Sequence, residues 1–563
     1  MKLFFGKNRL KLSPEQKAKK NKERLLLILS GIMMGISFPP FPFPFCLFLF
    51  FGLIPYFYVI EKRETLAEIN KATYLTFFVF SVITLYWVGS WQKTADPFLM
   101  IAGGTLLFFE PLLFLIPSTL LYLSRKVFPS KNVIFLFPLF WVTYEYLYML
   151  TDASFPWLTL GNGLAHFIIF IQIADIIGAV GLSLVVVYIN IFLYKALINY
   201  KISRKKFTFN LTAACLIFIF ILSYGIYRYS TFKVSNKTIK VGLIQPNLNP
   251  WEKWQGNNLN ELTNLYLTLS KKAVSKGAKL VIWPETALPV FLMDGNYNNL
   301  VDSIYSFVRG KNIYLLSGMP DVKYYYKGSK IPSDARESTI GDFYYTTYNG
   351  IILFSPDTWK IQTYDKMKLV PFGERVPFVD ALPFLGKIIK WGVGISSWNK
   401  GRDTVNFEIP NPNYKRGIKN SDISDSISIN GLVCFESVFP YFVTDFVRKG
   451  ARFISVVTND SWYGKSSGPY QHKEIAVLRA IENRRSVVRA ANGGISCIID
   501  PLGRTKIESK LFTKTYLVGE VPLEQVETFF TKYPLIIPVL SSIFSLWIFG
   551  IFFLKKLKIK FKL

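Results

Sequence analysis

Histidine and cysteine are scarce in this chain. Two histidines, His166 and His472, and four cysteines occur among 563 residues. Neither histidine stands in an H-E-x-x-H or Cys/His spacing, and no G-x-x-x-x-G-K-[ST] loop is present. Four cysteines in so long a chain do not make a disulfide framework, and Cys434 and Cys497 are not expected to pair. We therefore expect no metal site and no cofactor.

Charged residues are also few. They make up 18% of the chain, against about 25% in ordinary soluble proteins. Hydrophobic residues reach 51% and aromatic residues 17%, with 51 phenylalanines. This composition excludes a disordered chain, a collagen-like chain and a plain soluble enzyme. It predicts a polytopic membrane protein with a soluble part.

The net charge of +29 fits a nucleic acid partner, an anionic membrane surface or the positive-inside rule. The positions of the charges decide among these. Nine Lys/Arg lie in residues 1–24, and other basic clusters lie in short loops between apolar runs and at the carboxyl terminus. This is the membrane pattern, so no nucleic acid partner is expected.

Apolar runs predict about eight membrane spans. The first two, 25–38 and 45–60, flank a proline-rich bend, and each is short for a full span of about 20 residues. They are therefore predicted to form a tight helical hairpin. The further spans are predicted at 72–92, 98–123, 133–150, 168–194, 209–228 and 534–554.

Basic residues in the short loops predict the orientation. Loops 61–71, 124–132 and 195–208 are rich in Lys/Arg, whereas the alternate loops 39–44, 93–97 and 151–167 hold only Lys93. The predicted organisation is a basic cytoplasmic tail (1–24), a seven-span bundle (25–228), an external domain (229–533), a last span (534–554) and a second basic cytoplasmic tail (555–563).

The external segment is predicted to be one α/β domain. Short apolar runs, such as 239–244, 280–283 and 453–458, alternate with helical patterns, such as 260–275 and 470–485, which favours a layered sandwich with helices outside. The polar stretch 321–346 is predicted to be a surface loop. The apolar patch 378–393 is predicted to be a lid dipping into the membrane surface, or an ordinary core helix.

Three motifs in this domain could carry chemistry. A strand runs into Trp-Pro-Glu285, Lys366 precedes a proline-bounded extended segment that includes Glu374, and an apolar strand ends in Cys434-Phe-Glu436. A thiol needs a base to become nucleophilic at neutral pH, and a carboxylate can serve where no histidine is near. A lysine could keep that carboxylate ionised and stabilise an acyl-transfer oxyanion. Taken singly, Glu285 could cap a helix, Lys366 could be a surface charge and Cys434 could be a core residue.

In this order, the motifs resemble the Glu-Lys-Cys triad of the nitrilase superfamily. The flanking W-P-E-T-A, K-x-x-L-V-P-F-G-E and C-x-E, with T-N-D-S-W-Y-G and Q-H further on, narrow the resemblance to the apolipoprotein N-acyltransferase family. The eight-span layout, with the external domain before the last span, is similar to that family's architecture. The resemblance implies a polytopic α-helical bundle with an external nitrilase-like α/β sandwich.

The resemblance also implies roles for residues. Glu285 would be the general base, Lys366 the oxyanion stabiliser and Cys434 the nucleophile. Glu374 would support the triad, and Trp254 and Glu436 would shape the acyl and acceptor pockets. The site residues that the resemblance implies are Glu285, Lys366, Cys434, Trp254, Glu374, Phe435 and Glu436. The departure is Phe435, where the family commonly has tyrosine, so a hydroxyl is missing beside the nucleophile.

By the same resemblance, a phospholipid would donate an acyl chain to Cys434. The free amine of a diacylglyceryl-cysteine at the N-terminus of an apolipoprotein would then accept it. The enzyme is expected to be a monomer in the bacterial inner membrane, with the catalytic domain in the periplasm. Two alternatives stay open: a membrane-anchored amidase or nitrilase acting on a small substrate, and an inactive nitrilase-like scaffold for lipoproteins.

The predicted orientation can be tested by labelling. A single cysteine at position 204 is expected to lie in the cytoplasm, because it stands in a basic loop. A membrane-impermeant thiol reagent should therefore leave it unmodified in intact spheroplasts. Labelling at this position without permeabilisation would overturn the predicted topology.

Overall fold

A computed structural model describes residues 13–92, 95–128, 130, 132–254, 258–382, 384, 398–411 and 426–560. The amino-terminal part is helical. Its α-helices are α1 (Pro14–Gly35), α2 (Ile54–Ile60), α3 (Leu66–Leu85), α4 (Pro97–Leu113), α5 (Leu115–Val127), α6 (Phe137–Met149), α7 (Ala174–Asn199) and α8 (Arg204–Thr231). Short 3-10 turns lie between them at Phe45–Phe50, Tyr86–Gly89, Val133–Leu136, Pro156–Leu158, Leu160–Leu164 and Phe170–Ile173.

The prediction of several apolar helices is confirmed. Within the described residues, five helical segments are long and apolar enough to cross a membrane: Leu66–Gly89, Pro97–Val127, Phe170–Asn199, Arg204–Thr231 and Ile536–Leu557. The predicted spans at 45–60 and 133–150 coincide with shorter apolar segments, Phe45–Ile60 and Val133–Met149. The first predicted span falls in α1, whose first half is polar. The total of eight spans stays a prediction.

Local sequence fixes where several of these helices begin. Thr65 accepts a hydrogen bond from the backbone N–H of Glu68, and Asp96 accepts one from Phe98. First-turn N–H groups have no partner inside a helix, so such side chains stabilise the amino-terminal end. Pro97 follows Asp96 at the first helical position, where the missing N–H carries no penalty.

The carboxyl-terminal part is an α/β domain followed by the last apolar helix. Its strands are β1 (Thr238–Gln245), β2 (Leu280–Trp283), β3 (Tyr314–Tyr326), β4 (Arg336–Glu337), β5 (Phe343–Phe354), β6 (Gln362–Asp365), β7 (Asn406–Pro410), β8 (Ser426–Asn430), β9 (Leu432–Val433), β10 (Ile454–Thr458), β11 (Val487–Ala491), β12 (Cys497–Ile499), β13 (Thr505–Glu508) and β14 (Thr515–Pro522). Its helices are α9 (Pro250–Lys253), α10 (Leu259–Ser275), α11 (Asn298–Lys311), α12 (Pro440–Arg448), α13 (Gly468–Asn483), α14 (Phe529–Lys532) and α15 (Ile536–Lys560), with 3-10 turns at Cys434–Val438 and Asp460–Tyr463.

Two sheets stack face to face in this domain. The first runs β14-β1-β2-β3-β5-β4, with β6 paired to β5, and the second runs β13-β12-β11-β10-β9. The residues of β2 show the layering, because successive side chains of a strand point to opposite faces. Leu280 and Ile282 pack in the core between the sheets, whereas Val281 and Trp283 pack outward with residues of α10 and α11. The predicted sandwich with outer helices is therefore present.

The predicted surface loop at 321–346 is wrong at its two ends, where residues 321–326 and 343–346 belong to strands. β3 and β5 form an antiparallel pair that continues out to Tyr326 and Phe343. Tyrosines face each other across this extension, as in the pair Tyr324 and Tyr345. Aromatic cross-strand pairs stabilise such a ladder, and they outweigh the polar residues that suggested a loop. The predicted lid at 378–393 lies mostly outside the described residues.

Helix α13 joins the two parts of the molecule. It packs on the second sheet and also against α7 of the bundle, and every residue from Gln471 to Asn483 except Lys473 is buried. Gln471 lies at its start and contacts the bundle through four hydrogen bonds. Its side-chain oxygen accepts from the indole N–H groups of Trp87 and Trp157 at 3.1 and 2.7 Å, and its amide donates to the carbonyls of Pro39 and Thr84.

Replacing Gln471 by leucine should loosen the contact between the domain and the bundle. Two indole N–H groups and two carbonyls would lose their partner, at a cost of about 1–3 kcal/mol for each buried group left unsatisfied. We expect a clear fall in the melting temperature of the detergent-solubilised protein. Tyr470→Phe is the matched control, because Tyr470 is exposed. An unchanged melting temperature for Gln471→Leu would contradict this account of the interface.

Candidate active site

The three sequence motifs lie just after the ends of strands that meet at one cavity. Glu285 follows β2 after Pro284, Lys366 directly follows β6, and Cys434 directly follows β9. β2 and β6 belong to the first sheet and β9 to the second. The predicted glutamate, lysine and cysteine are therefore brought together from both sheets, and all three line the same cavity.

A buried lysine between two carboxylates forms the centre of the site. The Lys366 ammonium is fully buried and lies 2.8 Å from Glu374 Oε2 and 3.4 Å from Glu285 Oε1. The amide of Asn349 donates to both carboxylates, at 2.8 and 2.9 Å. Glu374 is further held by the backbone N–H of Val370. Each charged group therefore has partners, which a buried ion cluster requires.

The electrostatics of this cluster suit proton transfer. Burial alone would lower the pKa of Lys366, but the carboxylates of Glu374 and Glu285 raise it above its ordinary value. Burial raises the pKa of Glu285, the Lys366 ammonium opposes that shift, and Glu374 adds to it. The lysine therefore stays charged, and Glu285 is a stronger base than an exposed glutamate.

Cys434 is held in an unusual backbone conformation. Its φ is +51°, a left-handed value that costs a non-glycine residue about 1–3 kcal/mol, and it opens the 3-10 turn Cys434–Val438. Thr458 donates a hydrogen bond to its sulfur at 3.2 Å. Burial and the Glu285 charge raise the pKa of the Cys434 thiol, against the opposing effect of Lys366. The thiol is thus protonated at rest and needs a base.

The cavity above Cys434 has a volume of about 640 Å³ and largely apolar walls. Trp254 and Glu374 line it beside the three motif residues. Its remaining wall is formed in large part by helix α4, from the predicted membrane bundle. The α4 residues in that wall are Phe98, Leu99, Ile101, Ala102, Thr105, Leu106 and Phe109.

Phe435 and Glu436 lie outside the described lining of this cavity. The Phe435 ring stacks on Phe155 of the bundle, with centroids 5.7 Å apart. Glu436 is fully buried and accepts hydrogen bonds from the Tyr364 hydroxyl and from the backbone N–H groups of Met367 and Val433, at 2.7, 2.7 and 2.8 Å. Glu436 therefore links the strand that ends at Cys434 to the segment that carries Lys366.

Sequence reasoning missed three polar residues of the site. Asn349 and Thr458 contact the charged cluster and the thiol, as described above. Lys253 is buried 3.5 Å from the Thr286 hydroxyl, and burial lowers its pKa to about 7 despite the nearby Glu285. Thr458 opens the T-N-D-S-W-Y-G motif, which was the available signal for it, whereas Asn349 stands among Thr, Tyr and Gly residues and gave none. The position of Lys253 beside Trp254 gave none.

Cys434, Asp460 and His472 offer ligand atoms within 4.8 Å of one another. Their other partners do not suit a cation. Arg489 donates to Asp460 and lies 2.9 Å from His472 Nδ1, so a buried guanidinium already supplies positive charge there. Burial alone would raise the pKa of Asp460, but Arg489 and His472 hold it well below its ordinary value. The cluster therefore acts as a hydrogen-bonded support behind Cys434.

A two-sheet sandwich carrying a thiol, a carboxylate and an ammonium at its strand ends defines a domain of the carbon–nitrogen hydrolase class. The model of the family described as "Carbon-nitrogen hydrolase" matches residues 240–529, and that of the "Apolipoprotein N-acyltransferase N-terminal domain" matches residues 30–192. Two solved structures share 15–17% sequence identity with this chain. They are an amidase from Nesterenkonia sp. (TM-score 0.35, 52% of this chain and 95% of that one) and a nitrilase-superfamily member from Saccharomyces cerevisiae (TM-score 0.36, 54% and 97%).

Two relatives match this chain over nearly its whole length. The apolipoprotein N-acyltransferase of Chlorobaculum tepidum is 32% identical over 92% of this chain and 94% of its own length. That of Geobacter metallireducens is 30% identical over 92% and 93%. The chain belongs to the apolipoprotein N-acyltransferase family.

The charge of Lys366 should control the reactivity of the Cys434 thiol. Because the ammonium lowers the thiol pKa against burial, Lys366→Met should raise that pKa and slow alkylation by about tenfold for each pKa unit. The measurement is the rate of iodoacetamide modification of Cys434 against pH, read by peptide mass spectrometry.

Two controls accompany this measurement. Lys366→Arg retains the charge and should stay closer to wild type than Lys366→Met. Lys506→Met removes an exposed charge from β13 and should leave the rate unchanged. Wild-type alkylation in folded Lys366→Met would refute the electrostatic role.

Proposed function

We propose that this protein transfers an acyl chain from a membrane phospholipid to the free N-terminal amine of a diacylglyceryl-cysteine on an apolipoprotein. The observation that carries the proposal is the wall of the catalytic cavity. Cys434 lies in a cavity that shares residues with α4, and α4 lies within a segment apolar enough to span a membrane. A reactive thiol next to a membrane helix suits a substrate whose acyl chains never leave the bilayer.

In the proposed first half-reaction, Glu285 removes the proton of the Cys434 thiol as the sulfur attacks an ester carbonyl of the phospholipid. The Lys366 ammonium and a backbone N–H stabilise the oxyanion. The ester C–O bond then breaks, and the lysophospholipid oxygen takes the proton from Glu285. The raised pKa values support these proton transfers. The thiol keeps its proton until a base removes it, and Glu285 is a stronger base than an exposed glutamate.

In the second half-reaction, the lipoprotein amine attacks the thioester carbonyl and gives a proton to Glu285. The C–S bond breaks, and the proton returns to the sulfur as the amide leaves. Glu374 and Asn349 hold Lys366 and Glu285 in place throughout. Trp254 packs in the acyl pocket, while Glu436 positions Cys434 relative to Lys366 through its hydrogen bonds.

The proposed setting is the bacterial inner membrane. Residues 229–533 would lie in the periplasm, and the tails 1–24 and 555–563 in the cytoplasm. Basic clusters in alternate loops support this orientation. The bundle of residues 25–228 and the last span 534–554 would hold the cavity at the height of the lipid substrates.

Substitution of the three central residues should stop transfer while the protein remains folded. Cys434→Ala removes the nucleophile, so it should abolish transfer. Glu285→Gln should slow acylation of the thiol by about 10²–10⁴-fold, the usual effect of removing a general base. Lys366→Met should fail comparably, because it removes the charge facing the oxyanion. The assay is mass spectrometry of a lipoprotein substrate incubated with each variant.

The matched control is Cys497→Ala. Cys497 is the other cysteine of the same domain, and it is buried on β12 rather than lining the cavity. This variant should retain wild-type activity. Near-normal transfer by any of the three central variants would refute the mechanism, and loss of transfer in Cys497→Ala would reopen the assignment of the nucleophile.

The proposed scheme is ping-pong, because one thiol serves two bulky lipid substrates. Without acceptor, Cys434 should accumulate an acyl thioester that neutral hydroxylamine cleaves. Trp254→Ala should weaken acylation, or the protection of the thioester from water, without preventing membrane insertion. Intact-mass measurement reports the acyl group. A protein that modifies lipoprotein while Cys434 never carries acyl mass would exclude the covalent route.

A further inference from the structure

A second cavity lies where the catalytic domain meets the last span. Its volume is about 690 Å³, and it shares no described lining residue with the cavity that contains Cys434. Its apolar walls come from the end of α6, from α12 and from the start of α15, including Met149, Phe442, Leu535 and Leu540. Its size falls within the usual range for a ligand pocket, about 300–1,000 Å³.

Basic side chains outnumber acidic ones in the lining of this cavity. Lys368, Arg448 and Lys532 line it, against the single carboxylate of Asp445. Arg448 and Asp445 form an ion pair, and Glu527, outside the lining, lies 3.8 Å from Lys532. Both pairs are about half exposed to solvent, so their charges attract each other weakly.

Lys368 differs from these paired cations. It is partly buried, its ammonium lies 5.3 Å above the Phe439 ring, and no carboxylate in the described part of the chain lies within ion-pair distance. Burial, and then the charge of Lys400, lower its pKa, with Glu436, Asp152 and Asp445 as more distant opposing charges. A partly buried ammonium without an ion pair would be stabilised by an anion beside it.

The position of the cavity indicates what kind of anion fits. The last membrane-length helix begins at Ile536, so Leu535 and Leu540 form an apolar wall at one end of a candidate span. Tyr146 and Tyr533 also line the cavity, and tyrosines concentrate at the boundary between lipid and water. An occupant must therefore join an apolar chain to a negatively charged head group.

We propose that this cavity binds one anionic phospholipid, with its phosphate at Lys368 and Lys532 and an acyl chain along the start of α15. This molecule is separate from the acyl donor, because Cys434 lies in the other cavity. The bound lipid would fill the seam between the catalytic domain and the last span. The proposal goes beyond acyl transfer and does not depend on it.

The test compares two lipids on the full-length protein. The protein is placed in nanodiscs containing equal amounts of diether phosphatidylglycerol and diether phosphatidylcholine, and retained lipid is measured by native mass spectrometry. Ether lipids have no acyl ester to donate, so loss of transfer activity cannot alter the result. We expect wild type to retain phosphatidylglycerol selectively.

Variants separate the charge from the shape of the cavity. Lys368→Gln/Lys532→Gln should reduce the selectivity for phosphatidylglycerol at least about tenfold, because it removes two cations near the head group. Lys271→Gln/Lys311→Gln removes two exposed lysines elsewhere in the domain and should retain wild-type selectivity. Val539→Trp, which fills the cavity with a ring, should reduce retention while leaving all the charges in place.

Three results would overturn the proposal. The first is equal retention of the two lipids by wild type. The second is undiminished selectivity in monodisperse Lys368→Gln/Lys532→Gln. The third is full competition by millimolar inorganic phosphate or glycerol phosphate, which would indicate a site for a soluble anion.

Discussion

The burial of one helix between a sheet and a helical bundle constrains the whole molecule. Helix α13 is enclosed on both sides, yet it carries Gln471, His472, Arg479 and Glu482. Buried polar and charged groups are costly unless they are paired, so each must find partners on the sheet side or the bundle side. Arg479 and Glu482 pair with each other, and Glu482 also accepts the backbone N–H of Ala179 in the bundle. Gln471 finds all four of its partners in the bundle, and Glu482 finds one there, so these two side chains are fully satisfied only when the domain is docked.

The same helix connects this docking surface to the candidate active site. Gln471 is held by two bundle tryptophans, and the next residue, His472, contacts the Ser437 hydroxyl and the Cys434 carbonyl at 2.9 and 3.2 Å. Trp157 packs against the His472 ring as well as donating to Gln471. The backbone of the strained cysteine is therefore supported by groups whose own positions depend on the bundle. A cavity built partly from α4 and partly from strand ends needs such a rigid link, because its two halves belong to different parts of the chain.

Much of this arrangement was predictable from local sequence. Short apolar runs gave β2, β10 and most of β1, and the helical pattern gave α10 and α13, because those segments are buried in a regular way. Glu285 and Cys434 were predicted because each follows a buried strand, and Lys366 because it precedes a proline-bounded extended segment. The extension of β3 and β5 was missed, since its stability comes from cross-strand pairs that no single segment reveals. Strand β14 was missed as well, because its half-exposed residues are defined by their antiparallel pairing with β1.

The sequence did not reveal the polar network around the Lys366 ammonium, its two carboxylates and the Cys434 thiol. Asn349 and Thr458 look like ordinary strand residues until β5 and β10 bring them beside Glu285 and Cys434. Their importance follows from the low exposure of Lys366, because two carboxylates and one ammonium without water need additional donors to remain in place. Asn349 supplies one such donor to each carboxylate, which holds them on either side of the lysine. In the proposed reaction, this arrangement leaves Glu285 free to exchange one proton with sulfur, oxygen or nitrogen while the lysine keeps its charge.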